Sequence, residues 1–249
     1  MRNYKILAIL VLFSLFLTSC KYSAPEKGNA KAAYDKAWEY ATQNKFDESI
    51  AELNKAISID SNYAEAYRQR GAAYAMKKEF KKAFSDFNKA ITINPKDPDT
   101  YWKRGGAYDL KGENNKAILD FTKAIELNPK FATAYCTRGI SYAKMGDQYQ
   151  AIADYTKGIE IDPNLWEIYC SRGLAYSSVG KQDLAVEDFN KAMKLFPDSP
   201  NLFNNRAIAY FYKKDYDKAW ADIHKMEVLG GKADPQFIEE LKKASGRNK

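Results

Sequence analysis

The chain has 249 residues, 45% hydrophobic, 14% aromatic and 29% charged, with a formal charge of +7. That balance excludes an intrinsically disordered chain, which holds fewer apolar and aromatic residues. One histidine and three cysteines support no zinc-ligand spacing and no serine–histidine–aspartate set. Lysines spread along the chain without a nucleic-acid motif argue against a nucleic-acid partner.

Residues 1–20 read as an address. Arg2 and Lys5 give a positive start, residues 6–17 are an apolar run of twelve, and Leu17, Thr18, Ser19 and Cys20 close it. A run that short does not span a bilayer comfortably, so a signal peptide over residues 1–19 is expected rather than a transmembrane anchor. The closing four residues resemble a bacterial lipobox. The resemblance implies that Cys20 is acylated and begins the mature chain, so that the protein is a membrane-anchored lipoprotein of a bacterial cell envelope. Lys21, where aspartate would resemble an inner-membrane retention signal, points to the outer membrane, periplasmic side. Acyl chains in combination supply the stable anchoring that one chain lacks. Residues 20–29 then form the acylated cysteine and a polar tether, whose nine residues after the cysteine reach about 30 Å at full extension.

From residue 30 the chain repeats every 34 residues without insertion. A small residue stands at the eighth place of each unit, at Ala37, Gly71, Gly105, Gly139, Gly173 and Ala207. Places 4, 8 and 11 share one helical face, as do places 20, 24 and 27, because steps of three and four return to the same side. Tyr67, Gly71 and Tyr74 illustrate the first set, and Ala83, Phe87 and Ala90 the second. Gly112, Gly146 and Gly180 fall at place 15 and suit a left-handed helix end. The other three units carry Asn44, Lys78 and Lys214 there, so slightly different turns are expected. Pro95, Pro129, Pro163 and Pro197 stop each second helix by lacking the N–H it would need. Asp97 and Ser199, each followed by proline, are expected to cap the next helix.

The pattern resembles the tetratricopeptide repeat (TPR) family. It predicts an all-α protein, an α-solenoid of six helix-turn-helix units at residues 30–63, 64–97, 98–131, 132–165, 166–199 and 200–233. No unit of this kind buries its apolar face alone; stacking does so. Residues 234–249 follow as a capping helix and tail, with Asp234 as cap, Phe237, Ile238 and Leu241 on one face, and fraying from Ser245 onward.

Two series of residues invite a chemical reading. Place 7 holds Lys36, Arg70, Arg104, Arg138, Arg172 and Arg206, and place 23 holds Glu52, Asp86, Asp120, Asp154, Asp188 and Asp222. The first unit exchanges both members yet keeps both signs, which indicates pairing within a unit or with the next. An ion-pair ladder is the structural reading and an anion-binding ridge the functional one. Cys136 and Cys170 recur at place 5. Equivalent helices in adjacent repeats lie about 8–10 Å apart, whereas a disulfide wants Cα atoms within about 7 Å, which favours two free thiols.

In the family the first helices line a concave surface that faces a bound peptide. Carried onto this chain, the resemblance implies a groove containing Trp38, Arg68, Ala72, Met76, Trp102, Gly106, Asp109, Cys136, Lys144, Cys170 and Phe211. Trp102 is its expected centre, an indole left uncovered by the small Ala72 and Gly106, with Arg68, Asp109 and Lys144 as flanking charges of both signs. Exposed tryptophans are common binding anchors. The implied function is non-enzymatic, without metal or cofactor: a scaffold that docks a protein or peptide partner in the envelope, as in pilus or secretin assembly or the regulation of cell-wall enzymes. The competing class is a lipoprotein that binds a small ligand, peptidoglycan or another saccharide.

Overall fold

The computed structural model describes residues 28–247; the stretch read as a signal peptide, Cys20 and most of the expected tether lie outside them. The fold is all-α, an α-solenoid of paired helices with no strand among the described residues. The chain divides into two compact units at Met145 and Gly146, within the stretch read as the fourth repeat. The first unit holds α1 (Gly28–Thr42), α2 (Phe46–Ile59), α3 (Ala64–Met76), α4 (Phe80–Ile93), α5 (Pro98–Lys111), α6 (Asn114–Leu127) and α7 (Ala132–Lys144). The second holds α8 (Gln148–Ile161), α9 (Trp166–Ser178), α10 (Gln182–Leu195), α11 (Pro200–Tyr212), α12 (Tyr216–Val228) and α13 (Pro235–Ser245).

Small residues at place 8 set how closely the helices of a pair approach. A Cβ added to Gly105 on α5 would lie 2.7 Å from the Phe121 ring on α6 and 3.2 Å from the Ala117 carbonyl oxygen. The same substitution at Gly173 would meet Phe189 at 2.8 Å. The aromatic at place 24 therefore occupies the volume a side chain at place 8 would need. Ala83, Phe87, Ala117, Phe121, Ala185 and Phe189 are fully buried at these contacts. Interiors are packed near crystal density, so a methyl group too many is felt there.

The turns correct one expectation. Gly112, Gly146 and Gly180 take φ of 86°, 89° and 77°, and Asn44, Lys78 and Lys214 take 60°, 61° and 62°. All six turns are left-handed at place 15; the non-glycine residues accept the conformation rather than change the turn. Asp97 accepts a capping bond from the Asp99 N–H at 3.3 Å and Asp234 one from Gln236 at 2.8 Å. Ser199 makes no side-chain capping bond, contrary to its sequence reading. Nor does the chain fray at Ser245, whose Oγ accepts the Trp220 indole N–H at 3.1 Å. Phe237, Ile238 and Leu241 of α13 cover Trp220, Ile223 and Met226, so the last pair does not face water.

The charged residues at places 7 and 23 pair within the first, second, third, fifth and sixth repeats. Arg70 donates from Nε and Nη2 to the two oxygens of Asp86, both at 2.7 Å. Arg104 does the same to Asp120 at 2.7 Å, Arg172 to Asp188 at 2.8 Å, and Arg206 to Asp222 at 2.8 and 2.6 Å. The planar fork of arginine matches a carboxylate in this way and lysine cannot. The third nitrogen, Nη1, reaches back to the preceding repeat: Arg70 to Asn54, Arg104 to Asn88, Arg138 to Thr122, Arg172 to Thr156 and Arg206 to Asn190. Arg70, Arg104, Arg172 and Arg206 are thus clips between their own second helix and the one before. Place 25 was unassigned by sequence reasoning, although Asn54, Asn88, Thr122, Thr156 and Asn190 all supply an oxygen there. His224 stands at that place in the last repeat and lies 5.8 Å from the Trp220 ring.

Candidate interaction surface

The inner helices do not present the groove as expected, and the reason is a second regular contact. Place 5 meets place 34, the residue just before the next repeat. Tyr34 lies 5.3 Å from Tyr63, Arg68 pairs with Asp97 at 2.5 Å, and Trp102 lies 5.6 Å from Phe131. The residue at place 6 of the next repeat joins them. The Trp102 indole N–H donates to Thr137 Oγ1 at 3.1 Å, and Asn205 Nδ2 donates to Cys170 Sγ at 3.7 Å. Trp102 is therefore 2% exposed, a joint between repeats rather than an uncovered anchor. Its small neighbours Ala72 and Gly106 are buried as well, as are Cys136 and Cys170. Neither cysteine is in a disulfide, as expected. Burial pushes the Cys170 thiol up to about 12, against the smaller effect of Asn205.

The flanking charges are also committed within the chain. Asp109 is buried and accepts from Lys144 Nζ at 2.5 Å and from Ser141 Oγ at 3.2 Å. The two were expected to offer opposite charges to a ligand; they neutralise each other. Burial works against the charge on Arg68 and is the largest single effect, but Asp97, Tyr34 and Asp99 together outweigh it and hold the guanidinium above its usual range. Arg68 also stands 4.0 Å from Asp99, whose carboxyl burial raises and Arg68 partly restores. Lys103, buried beside them, is pulled down to about 7 by burial, with Arg68 adding to the effect. Phe211 packs 5.5 Å from Phe237 of the capping helix, so the chain's own α13 takes up that end.

A narrower surface remains. In the first unit Trp38, Glu65, Met76, Asp99, Thr133 and Lys144 are half-buried along the first helices. These residues offer apolar surface, carboxylates and a hydroxyl, with Lys144 already paired to Asp109 and no cluster among the described residues that could hold a metal ion. No helix among them is long and apolar enough to cross a membrane.

Comparison with known proteins bears on the repeat directly. A family model described as TPR repeat matches residues 39–78 and 107–146, and models described as tetratricopeptide repeat match 64–97, 132–165 and 167–199. Residues 64–97 and 132–165 coincide with two units delimited by the period. No curated protein sequence matches the chain. Among solved structures, MamA is 31% identical, with 64% of this chain and 93% of MamA covered at a TM-score of 0.55. YrrB, described as a TPR protein with an unusual peptide-binding site, is 21% identical over 77% of this chain and 97% of its own, at 0.61. PilW, described as a widely conserved type IV pilus biogenesis factor, is 17% identical over 82% and 94%, at 0.74. The last two likenesses are of fold. With repeats that fold as these models require, and 31% identity to a solved chain that it covers almost entirely, this chain belongs to the tetratricopeptide repeat family.

Proposed function

We propose that the protein is a non-enzymatic adaptor that docks a segment of a partner polypeptide along the first helices, and that acylated Cys20 holds it at a bacterial membrane. The observation that carries the docking reading is the half-buried row on α1, α3, α5 and α7, where Trp38, Met76 and Thr133 alternate with Glu65 and Asp99. Mixed apolar and charged surface of this kind suits a polypeptide better than a polyanion. Peptide binding is what the description of YrrB states of that protein, and pilus biogenesis is what the description of PilW states of PilW. An envelope assembly role here is compatible with both.

Affinity capture from detergent-solubilised envelope tests the docking. The wild-type chain is expected to retain one polypeptide stoichiometrically, and a Glu65→Lys, Thr133→Lys variant with an unchanged melt is expected to lose it. Retention of glycan alone would replace this reading with the saccharide-binding one. For the anchor, Cys20→Ala should leave an uncleaved precursor or a soluble chain. Recovery of that variant in carbonate-resistant membranes would remove the lipoprotein assignment.

A further inference from the structure

Repeat five departs from the others at two places together. Place 31 is Asp60, Asn94, Asn128 and Asp162 in the first four repeats and Phe196 in the fifth. The four polar residues each close a turn, accepting the N–H two residues on at 3.0, 3.3, 3.1 and 3.0 Å. Phe196 abandons that bond while its own N–H still donates to Ala192 at 2.8 Å. Place 1 is alanine or proline in every other repeat and Trp166 in this one. The two substituted residues stack, with ring centroids 4.8 Å apart and planes at 18°. Phe196 is 44% exposed and the adjacent Leu195 39%. A turn-forming side chain has been exchanged for exposed aromatic surface, and the turn bond that four other repeats keep is given up for a ring stack.

The surroundings are electronegative. Glu167 follows Trp166 on α9 and has no ion-pair partner among the described residues; burial raises its carboxyl, with the nearby Asp162 charge adding to that. Lys194 near the end of α10 is exposed, and no lysine or arginine of the described residues lies over either ring. Several rings elsewhere are covered by the chain's own cations, as Tyr67 is by Arg70, Tyr101 by Arg104, Tyr135 by Arg138 and Tyr176 by Arg172. A half-buried indole stacked on an exposed phenyl ring, beside carboxylates that have no ion-pair partner among the described residues, attracts a cation through both the ring quadrupoles and the carboxylate charge.

We propose that Trp166 and Phe196, with Glu167 and Asp162 beside them, form a docking site for an arginine- or lysine-bearing segment of a partner polypeptide. This rests on the docking reading above and names the chemistry of one contact. A short fluorescent peptide alternating arginine and alanine, titrated against the full chain at low salt and followed by anisotropy, tests it against a glutamate–alanine counterpart. The variant is Trp166→Ala with Phe196→Asn, which returns both places to residues that other repeats carry, so its melting temperature should not fall.

The expected loss of affinity for the arginine peptide is about tenfold in the double variant and about threefold in Glu167→Gln, within what ring–cation contacts supply. The glutamate peptide should not bind. Equal affinity of the double variant and wild type, or equal binding of the two peptides, overturns the site. If that happens while wild type still captures its partner, the docking reading stands and only this contact falls. If wild type neither captures a polypeptide nor binds the arginine peptide, both fall.

Discussion

Two contacts recur along this chain, and they differ in what they repeat. The clip at places 7, 23 and 25 uses the same chemistry almost everywhere: an arginine fork on a carboxylate, with its third nitrogen on an Asn or Thr of the repeat before. The joint at places 5 and 34 uses a different chemistry each time, Tyr34 with Tyr63, Arg68 with Asp97, Trp102 with Phe131. The first holds the period; the second gives each junction its own character. A contact that must be the same in every repeat is visible as a column of identical residues. One that need only be complementary is not.

The largest test of that distinction falls on the joint. Trp102→Ala should cost about 3–5 kcal/mol, as for deletion of a buried aromatic, and should leave Thr137 without its indole donor. The measurement is chemical denaturation beside partner capture. Trp102 fails as a joint if the variant keeps its stability and loses only binding, which is how an exposed anchor would behave. Next comes the clip. Arg104→Ala strands the mostly buried Asp120 carboxylate, 9% exposed, and should cost about 2–4 kcal/mol, somewhat less than for a fully buried pair. Arg104→Lys should recover only part of it, because a lysine cannot fork onto Asp120 and reach Asn88 as well. Full recovery by lysine would mean that charge alone matters at place 7.

These contacts also explain how far the sequence could be read. The period, the helix pairs, their turns and the ion pairs follow from columns of like residues: Gly71, Gly105 and Gly173 under Phe87, Phe121 and Phe189, and arginine sixteen residues before aspartate. The burial of Trp102 was hidden because its partner, Phe131, stands in a column that reads Tyr63, Asp97, Phe131, Leu165, Ser199. No single type recurs there. The signal lay in complementarity at a spacing of 29, aromatic with aromatic and Arg68 with Asp97. The same blindness made Asp109 and Lys144 look like free charges, since their contact crosses from one repeat to the next. Phe211 was lost for another reason: the helix that covers it has no counterpart after the earlier repeats.

The turns supply a smaller test. Lys78 holds φ of 61° where Gly112 holds 86°. A left-handed conformation costs an ordinary residue about 1–2 kcal/mol, partly offset by the greater entropy glycine loses on folding. Lys78→Gly should therefore raise stability by up to about 1 kcal/mol, with a higher melting temperature and unchanged helicity. A lower melt would mean that the Lys78 side chain contributes more than its backbone conformation costs.

The smallest effect belongs to the first repeat, where the clip is reduced. Lys36 takes the arginine's place and Glu52 the aspartate's, at 3.0 Å, but the lysine side chain is 52% exposed and Lys55 also reaches Glu52 at 2.9 Å. Among the described residues no second helix precedes this repeat, so the third leg that each arginine sends backward has no place-25 partner to find. A fork has nothing to hold there, and a single ammonium on a longer carboxylate spans the same gap. Lys36→Ala should accordingly lower the melting temperature far less than Arg104→Ala does, as expected of an exposed ion pair, since Lys55 still neutralises Glu52. Raising the salt concentration should erase even that difference, whereas the loss from Arg104→Ala should persist, because buried pairs are screened far less. Melts of both variants at low and high salt decide the matter: a Lys36→Ala loss as large and as salt-resistant as that of Arg104→Ala would show that the first repeat is clipped like the rest, and that its exchanged residues are a full replacement rather than a remnant.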